Sequence, residues 1–540
     1  IEWLDKDGDT LAVKPGVAAY AEAERRVKLR TETLKISSLQ LGTRQDLGRW
    51  LVDASVGRSR ASEATPLNLD DGRFTGFGGS VSFTDTQQPR IAGPASLSSP
   101  ASYKLNRITL NESEMLDTEN FLKLDATHRM QLFQRNAELS FGTRLANRVK
   151  SSQVEEYRSK AKGQAMADFL LPNLAYGLGP FGPGLNPSSL FALGKSAGYS
   201  LEEEASAESD SRIEERIRAF YVQNRLELSD KTSLLAGVRQ ESTQLKAQGN
   251  LLDIDAEKIT SISKSRDRND LLPSLSLRSE LTPQTTLRAG VSRSMVRAGF
   301  NQLSPATLVE DNAALRGNPD LRPLKSNNID LSLQYLLGRN GAVTLSLYRK
   351  SIKDFTYLSN LGEREGYGEL LTYKNGDSGK ISGVELGLVH RLVGLPSPWN
   401  RFLVSANTSL SSGTARLSSV DGAKLVEREV RFPGHAKRSS NLVLGYEYAG
   451  LSARLAYQHR SDYLLELTED FLSPEKDLFV APSRYFDASL YYRVAPRFTI
   501  GVEGINLPNQ AYYVYQVAKI YNAQYERYGR VLKMMLRAEF

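Results

Sequence analysis

The residues that could perform acid–base, nucleophilic or metal chemistry are few and widely spaced in this chain of 540 residues. It contains no cysteine, and its four histidines are far apart in sequence: His128, His390, His435 and His459. Without cysteine, disulfides, thiolate metal sites and cysteine nucleophiles are excluded. No H-E-x-x-H or G-x-S-x-G motif occurs. We therefore expect no enzyme, no catalytic or metal-binding residue and no cofactor.

One glycine-rich segment, GLGPFG at 177–182, matches the G-x-G-x-x-G pattern of dinucleotide sites. Such a site needs a helix directly after the glycines, because the helix N-terminus holds the phosphates. Pro180, Pro183 and Pro187 interrupt any such helix. The segment therefore predicts a loop, whose aromatic side chains either contact a ligand or belong to an ordinary surface.

Two acidic segments also have ordinary alternatives. DKDGD at 5–9 is similar to the start of a calcium loop, but Thr10 and Gly16 stand where an EF-hand requires glycine and glutamate. A turn is therefore predicted. LEEEASAESD at 201–210 could bridge cations to lipopolysaccharide phosphates, or form a solvated loop. The net charge of +7 permits anionic partners without requiring nucleic acid, which we do not predict.

The elements that carry these residues are predicted to be strands. The longest uncharged run, 169–194, contains four prolines and cannot form a membrane helix. Apolar and polar residues instead alternate over most of the chain, which is typical of strands with one apolar and one polar face. The clearest segments are 50–57, 329–337, 343–350, 451–459 and 485–494.

The connections between these strands are of two kinds. Tight turns at LGRNGA, YAG, VAPR, LSDKT and LTPQT join strands at one end. Long irregular segments are predicted at the other end: 61–118, 150–212, 242–270, 298–326, 410–438 and 460–482. This asymmetry predicts an all-β fold, a transmembrane antiparallel β-barrel of roughly 18 strands or more with short periplasmic turns and long extracellular loops. A soluble propeller or solenoid is the alternative, but no fixed repeat is visible.

The segment from residue 220 to the C-terminus resembles the barrel of TonB-dependent outer-membrane receptors. The matching motifs are 220–243, 271–294, NQLSP (301–305), RGNPDLRPLKSNNIDLSLQY (316–335), ISGVELGL (381–388), EGINLPNQAYY (503–513), YGR (528–530) and the terminal Phe540. Residues 31–60 and 119–145 resemble earlier hairpins less specifically. One departure is Ala298, which follows Arg297 where the family carries proline.

The resemblance implies localisation in the cell outer membrane and energy-coupled nutrient import. It also implies a total of 22 strands, so that the predicted range is about 18–22 strands. We expect residues 1–16 to be an entry segment from a missing upstream region and 17–540 to be the barrel. The implied partners are outer-membrane lipid and lipopolysaccharide, an upstream plug domain, the TonB complex acting through that plug, and the barrel-assembly machinery. Four polar-face residues are predicted to line the lumen and face the plug: Arg239, Glu241, Arg278 and Arg288.

The resemblance leaves the imported nutrient open. Haem is disfavoured, since Gly299 to Gly317 contains none of the histidines that the haem-receptor subgroup carries there. An anionic ferric siderophore would suit the positive charge, and an oligosaccharide would stack on loop aromatic residues. Oligosaccharide is slightly preferred, because the motifs at 271–323 most resemble a receptor subgroup often linked to oligosaccharides. The candidate ligand contacts are Tyr176, Phe181, Tyr367 and Tyr373. A passive, porin-like diffusion channel is the alternative function.

The last ten residues, VLKMMLRAEF, alternate to the final position. Leu532, Met534 and Leu536 are predicted to face lipid, and Lys533 and Arg537 the lumen. We expect this strand to pair with the first strand of the barrel, because an open sheet edge cannot exist in hydrocarbon. The terminal Phe540 is predicted to be a barrel-assembly signal.

Overall fold

The alternating segments form strands, and the helices are short. The computed structural model describes residues 2–4, 13–84, 87–173, 183–253, 258–310, 313–363, 365–421, 424–467, 473–516, 518–519 and 521–540. The α-helices are α1 (Pro187–Ser196), α2 (Glu203–Ser209) and α3 (Phe300–Leu303), and 3₁₀ turns cover Ala95–Ser98, Pro100–Ser102, Met166–Phe169, Trp399–Arg401 and Pro474–Lys476. Within these ranges, no helix has the length and apolar character needed to cross a membrane.

The strands are numbered in chain order. They are β1 (Glu2–Trp3), β2 (Ala19–Leu29), β3 (Thr33–Leu47), β4 (Trp50–Phe83), β5 (Ile91–Ala92), β6 (Lys104–Leu132), β7 (Arg135–Ser159), β8 (Leu170–Asn173), β9 (Pro183–Leu185), β10 (Tyr199–Leu201), β11 (Ser211–Ser229), β12 (Thr232–Asp253), β13 (Lys258–Thr282), β14 (Thr285–Val296), β15 (Thr307–Glu310), β16 (Ala313–Arg316), β17 (Leu324–Leu336), β18 (Gly341–Lys353), β19 (Thr356–Asn360), β20 (Glu369–Asn375), β21 (Ser378–Arg391), β22 (Phe402–Asp421), β23 (Lys424–Arg431), β24 (Arg438–Tyr448), β25 (Leu451–Arg460), β26 (Tyr463–Glu466), β27 (Leu478–Val480), β28 (Ser483–Ala495), β29 (Phe498–Ile505), β30 (Ala511–Gln516), β31 (Tyr521–Arg527) and β32 (Val531–Ala538).

One sheet of 22 strands dominates the described residues. Its long strands pair antiparallel, each with the next, in the order β3, β4, β6, β7, β11, β12, β13, β14, β17, β18, β21, β22, β24, β25, β28, β29 and β32. We call this series the wall. Antiparallel neighbours joined largely in chain order agree with the predicted architecture. The sheet of 22 strands lies within the predicted range, and 17 of its described strands form the wall.

The wall has one apolar and one polar face, as the alternation predicts. Cross-strand partners share a face, so that Leu331 lies beside Leu347 and Leu333 beside Leu345. These four apolar side chains are exposed on the surface of the wall. An extensive exposed apolar face is unfavourable in water and favourable in lipid. We call this the apolar face and its reverse the polar face.

The predicted tight turns are confirmed, but the predicted long loops are shorter than expected. Two-residue turns follow β6 at 133–134 and β24 at 449–450, where positive φ angles suit the twist of a hairpin. At the opposite end, β4 runs to Phe83 and β12 to Asp253, inside segments predicted to be irregular. The alternation fades there because both faces meet water, whereas the backbone hydrogen bonds continue.

Three small sheets and two helices cover the long-loop end. One sheet joins β15, β16, β20 and β19, a second joins β26, β27, β30 and β31, and a third joins β8 and β9. Helix α1 packs Leu190 against a buried cluster that includes Leu69, Ile108 and Leu110. Buried apolar clusters therefore lie among the loop-end segments, and the apolar face of the wall is left uncovered.

The two edge strands of the wall each have one paired side. β3 pairs with β4, and β32 pairs with β29 through Val502 beside Met534 and Ile500 beside Leu536. Among the described residues β3 and β32 do not pair with each other, which differs from the pairing expected for the last strand. Both strands end at the tight-turn side, so direct pairing would be parallel, unlike every other pairing in the wall.

Candidate functional site

The polar face of the wall carries rows of paired charges. Arg44 Nε donates to Asp53 Oδ1 at 2.6 Å across β3 and β4. Arg148 on β7 donates through Nε and Nη2 to both carboxylate oxygens of Asp117 on β6, at 2.9 and 2.6 Å. Such bidentate pairs hold long side chains flat against a sheet. This face is a hydrogen-bonding surface suited to a polar guest, and a closed barrel would place it inside.

The four predicted lumen residues all lie on this polar face. Arg239 donates to Glu241 Oε2 through Nε at 3.1 Å and Nη2 at 2.8 Å. Arg278 Nη2 donates to Glu280 Oε1 at 2.8 Å, and Arg288 Nη1 donates to Gln334 Oε1 at 3.1 Å. Each is thus held in place by a neighbour on the same face. Contact with a plug stays a prediction for all four.

Sequence reasoning missed the centre of this charged surface. Arg297, just after β14, reaches back to the polar face, contacts Glu241 and places Nε 3.5 Å from Glu215 Oε1 on β11. Both carboxylates are buried. Only the register of β11 against β12 brings these residues together, so no local sequence signal could have revealed them.

Beyond Arg297, the chain folds inward over the polar face. Leu303 of α3 and Leu321 pack on Ile213, Leu245 and Ala247 of strands β11 and β12. We call residues 297–323 the inward loop. Because its apolar anchors cover a polar-face surface, the loop narrows the space enclosed by the wall at the long-loop end.

The turn of the inward loop is fixed by its backbone. The Asn318 amide nitrogen donates to the Gln302 carbonyl at 2.6 Å, and Asn318 Nδ2 donates to the Tyr373 carbonyl at 2.9 Å. A Cβ on Gly317 would lie 2.8 Å from the Asn301 carbonyl oxygen and 2.9 Å from that of Gln302. The glycine of the GNPD motif is therefore required by close packing of backbone on backbone.

Asp320 ties this turn to β13. It accepts a hydrogen bond from Lys264 Nζ at 3.1 Å and another from Arg266 Nε at 3.0 Å. Burial alone would raise the pKa of Asp320, but the hydrogen bonds from Arg266 and Lys264 outweigh it and hold that pKa below its ordinary value.

A cavity of about 480 Å³ opens on the apolar face. An ionic cavity of about 900 Å³ opens beside α2, near the long-loop end. We call the second cavity the vestibule. Cations on β2, β4 and β6 line one side, and the acidic residues of α2 and β7 line the other. Its charged lining residues are Arg26, Lys28, Asp70, Asp71, Arg73, Arg107, Glu156, Glu202, Glu203, Glu204 and Glu208.

The basic side of the vestibule is organised around one carboxylate. Arg73 Nε and Arg107 Nε both donate to Asp71 Oδ2, at 3.1 and 3.2 Å. Lys28 Nζ lies 2.9 Å from Asp70 Oδ1 on the same side. The two guanidiniums therefore hold positive charge on this side of the vestibule, which favours an incoming anion.

The acidic side of the vestibule is built on α2. The hydroxyl of Ser206 accepts from the Glu156 amide nitrogen at 2.9 Å and donates to the Glu202 carbonyl at 2.8 Å, which fixes the helix to β7. Burial raises the pKa of Glu208. The segment 201–210 is therefore a packed helix rather than the solvated loop that was its alternative.

The predicted aromatic contacts fall in different surroundings. Tyr367 is 1% exposed, and its hydroxyl donates to Glu208 Oε1 at 3.0 Å and to the Leu252 carbonyl at 3.2 Å. Tyr373 is half-buried against the Leu303 and Leu321 cluster. This packing favours a structural role for both. Tyr176 and Phe181 lie outside the described residues.

Within the described ranges, no group of three or more histidine and carboxylate side chains could hold a metal ion. DKDGD at 5–9 lies outside those ranges.

Comparison with known sequences gives one family. The family described as "TonB dependent receptor-like, beta-barrel" matches residues 28–507, which is most of the chain. No curated protein sequence matches the chain.

Solved structures show the same fold at low sequence identity. The chain is similar to the closed form of the ferric-catecholate import receptor Fiu from E. coli K12, with a TM-score of 0.56 and 12% identity over 97% of this chain and 75% of that one. It is also similar to the copper transporter OprC, with a TM-score of 0.56 and 12% identity over 100% and 74%. The unliganded ferric citrate transporter FecA gives a TM-score of 0.52 and 12% identity over 97% and 71%.

Proposed function

The chain belongs to the TonB-dependent receptor family as its β-barrel, and from this premise we propose that it imports a bulky, charged metal chelate. The protein is an outer-membrane β-barrel, so the apolar face meets lipid and the polar face lines the lumen. The import step is energy-coupled in this proposal: a plug upstream of the chain fills the lumen and is moved by the TonB complex.

The proposal assigns roles to the parts of the chain that sequence reasoning singled out. Residues 17–540 are the barrel, and residues 1–16 lead in from the plug. Arg239, Glu241, Arg278 and Arg288 contact that plug from the lumen wall. Lipid and lipopolysaccharide surround the barrel, and the assembly machinery inserts it.

The choice of a metal chelate as the ligand class rests on the residues that line the vestibule. Its charged residues come from five elements, β2, β4, β6, β7 and the α2 segment, and the described residues that line it include no aromatic side chain. A metal chelate offers carboxylates and hydroxyls to such walls, whereas an oligosaccharide would gain most from aromatic stacking. The burial of Tyr367 removes one proposed stacking platform. We therefore place the metal chelate ahead of the oligosaccharide, reversing the preference drawn from sequence.

The ligands of the structural relatives favour the same class. The three relatives compared above are an import receptor for ferric catecholate, a copper transporter and a ferric citrate transporter. Each of the three is 12% identical in sequence to this chain, and at this identity the similarity shows a common fold only. These ligands therefore support the choice of ligand class without fixing the chelate.

Ligand binding to the full-length receptor tests the proposed class. Purified receptor would be titrated with ferric catecholate, ferric citrate, a copper chelate and a set of linear oligosaccharides. We expect binding of at least one chelate and a roughly tenfold loss in Arg107→Gln, about 1.4 kcal/mol. Lys104→Gln is the matched control, since Lys104 is an exposed cation on the same strand outside the vestibule. Binding of an oligosaccharide and of no chelate would overturn the chelate assignment.

Uptake by cells tests the energy coupling separately. Radiolabelled chelate should enter cells that express the receptor and should stay outside when TonB is deleted. Equal uptake with and without TonB would support the passive channel instead, an alternative that the family match does not favour.

A further inference from the structure

A group of cations lies on the outer, apolar side of the barrel, just beyond its lipid-facing belt. Register places Arg58 beside Leu39 and Asn120, and Arg218 beside Leu145. Because cross-strand partners share a face, these arginines point outward like the leucines. The exposed outward cations on strands β4, β11 and β12, which we call the cationic rim, are Arg58, Arg60, Arg212, Arg216, Arg218 and Lys246.

The rim cations differ from those of the lumen in their partners. Arg216 forms an ion pair with Glu214 at 2.7 Å. In the described part of the chain, the other five rim cations have no hydrogen bond or ion pair with any side chain. The lumen arginines Arg44 and Arg148, by contrast, are bonded to carboxylates. The rim therefore carries uncompensated positive charge, which attracts an anion from outside the chain.

A groove directly below the rim is apolar. The cavity of about 480 Å³ on this face is lined by outward leucines and valine on strands β3, β4, β6 and β7. They are Leu39, Leu41, Val56, Leu122 and Leu145, and the rim residues Arg58, Arg216 and Arg218 border the same groove. An apolar groove bordered by cations has the pattern required for a lipid with an anionic headgroup.

A polar group without a partner lies between the cations. Asn120 and Asn147 fill the positions between Arg58 and Arg216 along one cross-strand row. The Asn147 side-chain oxygen is buried and has no hydrogen-bond partner in the structure. Buried acceptors are normally satisfied. A hydroxyl-bearing headgroup would supply the missing donor, whereas a simple phosphate dianion would not.

We propose that the cationic rim and its groove bind a phosphorylated, acylated glycolipid of the outer leaflet. The acyl chains lie on Leu41, Val56 and Leu122, the phosphates meet the arginines, and a sugar hydroxyl donates to Asn147. Arg58 and Arg216 are three strand spacings apart, about 14 Å, so one phosphate cannot bridge them and two are required. The rim lies at the long-loop end, which is extracellular in bacterial barrels, where this lipid resides.

The site does not depend on the imported ligand, because it faces lipid on the other side of the wall. Its nearest outward acids are Glu214, Glu114 and Asp267. Glu214 is paired with Arg216 and lies opposite Lys246, Glu114 lies on β6 four positions from the residue beside Arg60, and Asp267 lies on β13 in the row of Arg216. Among the described residues, none of the three forms an ion pair with Arg58 or Arg60 on β4.

Lipid binding to the full-length receptor in nanodiscs tests the proposal. The probes are bisphosphorylated lipid A, the same lipid without phosphates, phosphatidylglycerol, and inorganic phosphate as competitor. Native mass spectrometry should show binding of bisphosphorylated lipid A that weakens at least tenfold in the double variant Arg58→Gln, Arg218→Gln. The phosphate-free form and phosphatidylglycerol should bind at least tenfold more weakly to the unchanged receptor.

Arg349 on β18 provides the matched control for the rim arginines. Arg349→Gln removes another exposed outward cation, on β18 beside Ile329 and away from the rim, and should leave binding unchanged. Heat-modifiable mobility on gels reports that each variant is folded. The proposal is overturned if the folded double variant binds lipid A as tightly as the unchanged receptor. Equal affinity for phosphatidylglycerol, or full displacement by millimolar inorganic phosphate, would overturn it as well.

Discussion

Phe540 ends the chain with its side chain fully exposed and outside any buried cluster. A side chain that packs against no other residue of the folded wall adds little to the stability of the wall. We therefore expect Phe540 to act during assembly of the barrel and not in the folded protein. We predict that Phe540→Ala lowers the fraction of receptor inserted in the outer membrane at least severalfold while leaving the melting temperature of the inserted fraction unchanged.

Heat-modifiable gel mobility of membrane fractions measures the inserted fraction. Phe133→Ala is the matched control, since Phe133 is also an exposed aromatic residue, in the turn between β6 and β7. Normal insertion of Phe540→Ala would contradict the predicted assembly role.

At the scale of the elements, the inward loop depends on the close contact between the backbone at Gly317 and the backbone of residues 301–304. Any side chain at Gly317 would press on the carbonyl oxygens of Asn301, Gln302 and Ser304. Overpacking of this kind typically costs about 1–3 kcal/mol. We predict that Gly317→Ala detaches the loop from the lumen wall, seen as faster hydrogen exchange at the amides of Leu303 and Leu321.

The control for Gly317→Ala is Gly387→Ala on β21, where the nearest atom to an added Cβ is 3.8 Å away on Thr344. Exchange in the inward loop should not change in this control. Unaltered hydrogen exchange in Gly317→Ala would contradict the prediction, because it would show that the loop accommodates the added Cβ without detaching.

The ion pairs of Asp320 make the attachment of the inward loop pH-dependent. Because the pKa of Asp320 is held below its ordinary value in the folded state, its stabilisation is present above the unfolded pKa of about 3.9. It is lost as the pH falls through the lower folded value. We predict an attached loop from pH 8 to 5 and release only in stronger acid.

A fluorescent label can report this release, because the chain has no cysteine of its own. The label would be attached to Asn301→Cys, an exposed position on α3. In the Asp320→Asn background the label should already report the released state at pH 7. If the pH profile is the same with and without Asp320, this carboxylate is not the group that attaches the loop to β13.

For the whole molecule, the membrane sets the strictest requirement, which is that every strand edge in hydrocarbon be paired. β32 covers the free side of β29 along its full length, from Ile505 beside Val531 to Phe498 beside Ala538. Deleting residues 531–540 would expose that edge to lipid. We predict that the truncated protein fails to insert and accumulates unfolded in the periplasm.

Protease accessibility in intact and lysed cells distinguishes these locations. A matched truncation is the replacement of the loop-end sheet segment 511–527 by a short linker, since β30 and β31 pair outside the wall. Insertion of the 531–540 deletion with normal heat-modifiability would refute the edge argument.

The amino-acid sequence by itself determined the faces of the strands and most of the tight turns. In a strand, each side chain's face follows from its position alone, so Arg239, Glu241, Arg278 and Arg288 could be assigned to the polar face. The turns at 230–231 and 283–284 were equally local, since they rest on residues that accept turn geometry. The fold class followed from these two patterns.

The tertiary structure alone decided which distant residues meet. Tyr367 and Glu208 are 159 positions apart, and their hydrogen bond holds a predicted ligand contact in a buried position. Arg297 joins Glu215 and Glu241 only because β11 and β12 pair in one register and the inward loop returns over them. The cationic rim likewise exists only when β4, β6, β7 and β11 stand side by side. Periodicity specifies the direction of a side chain, but register and loop packing specify its neighbours, and these depend on the whole chain.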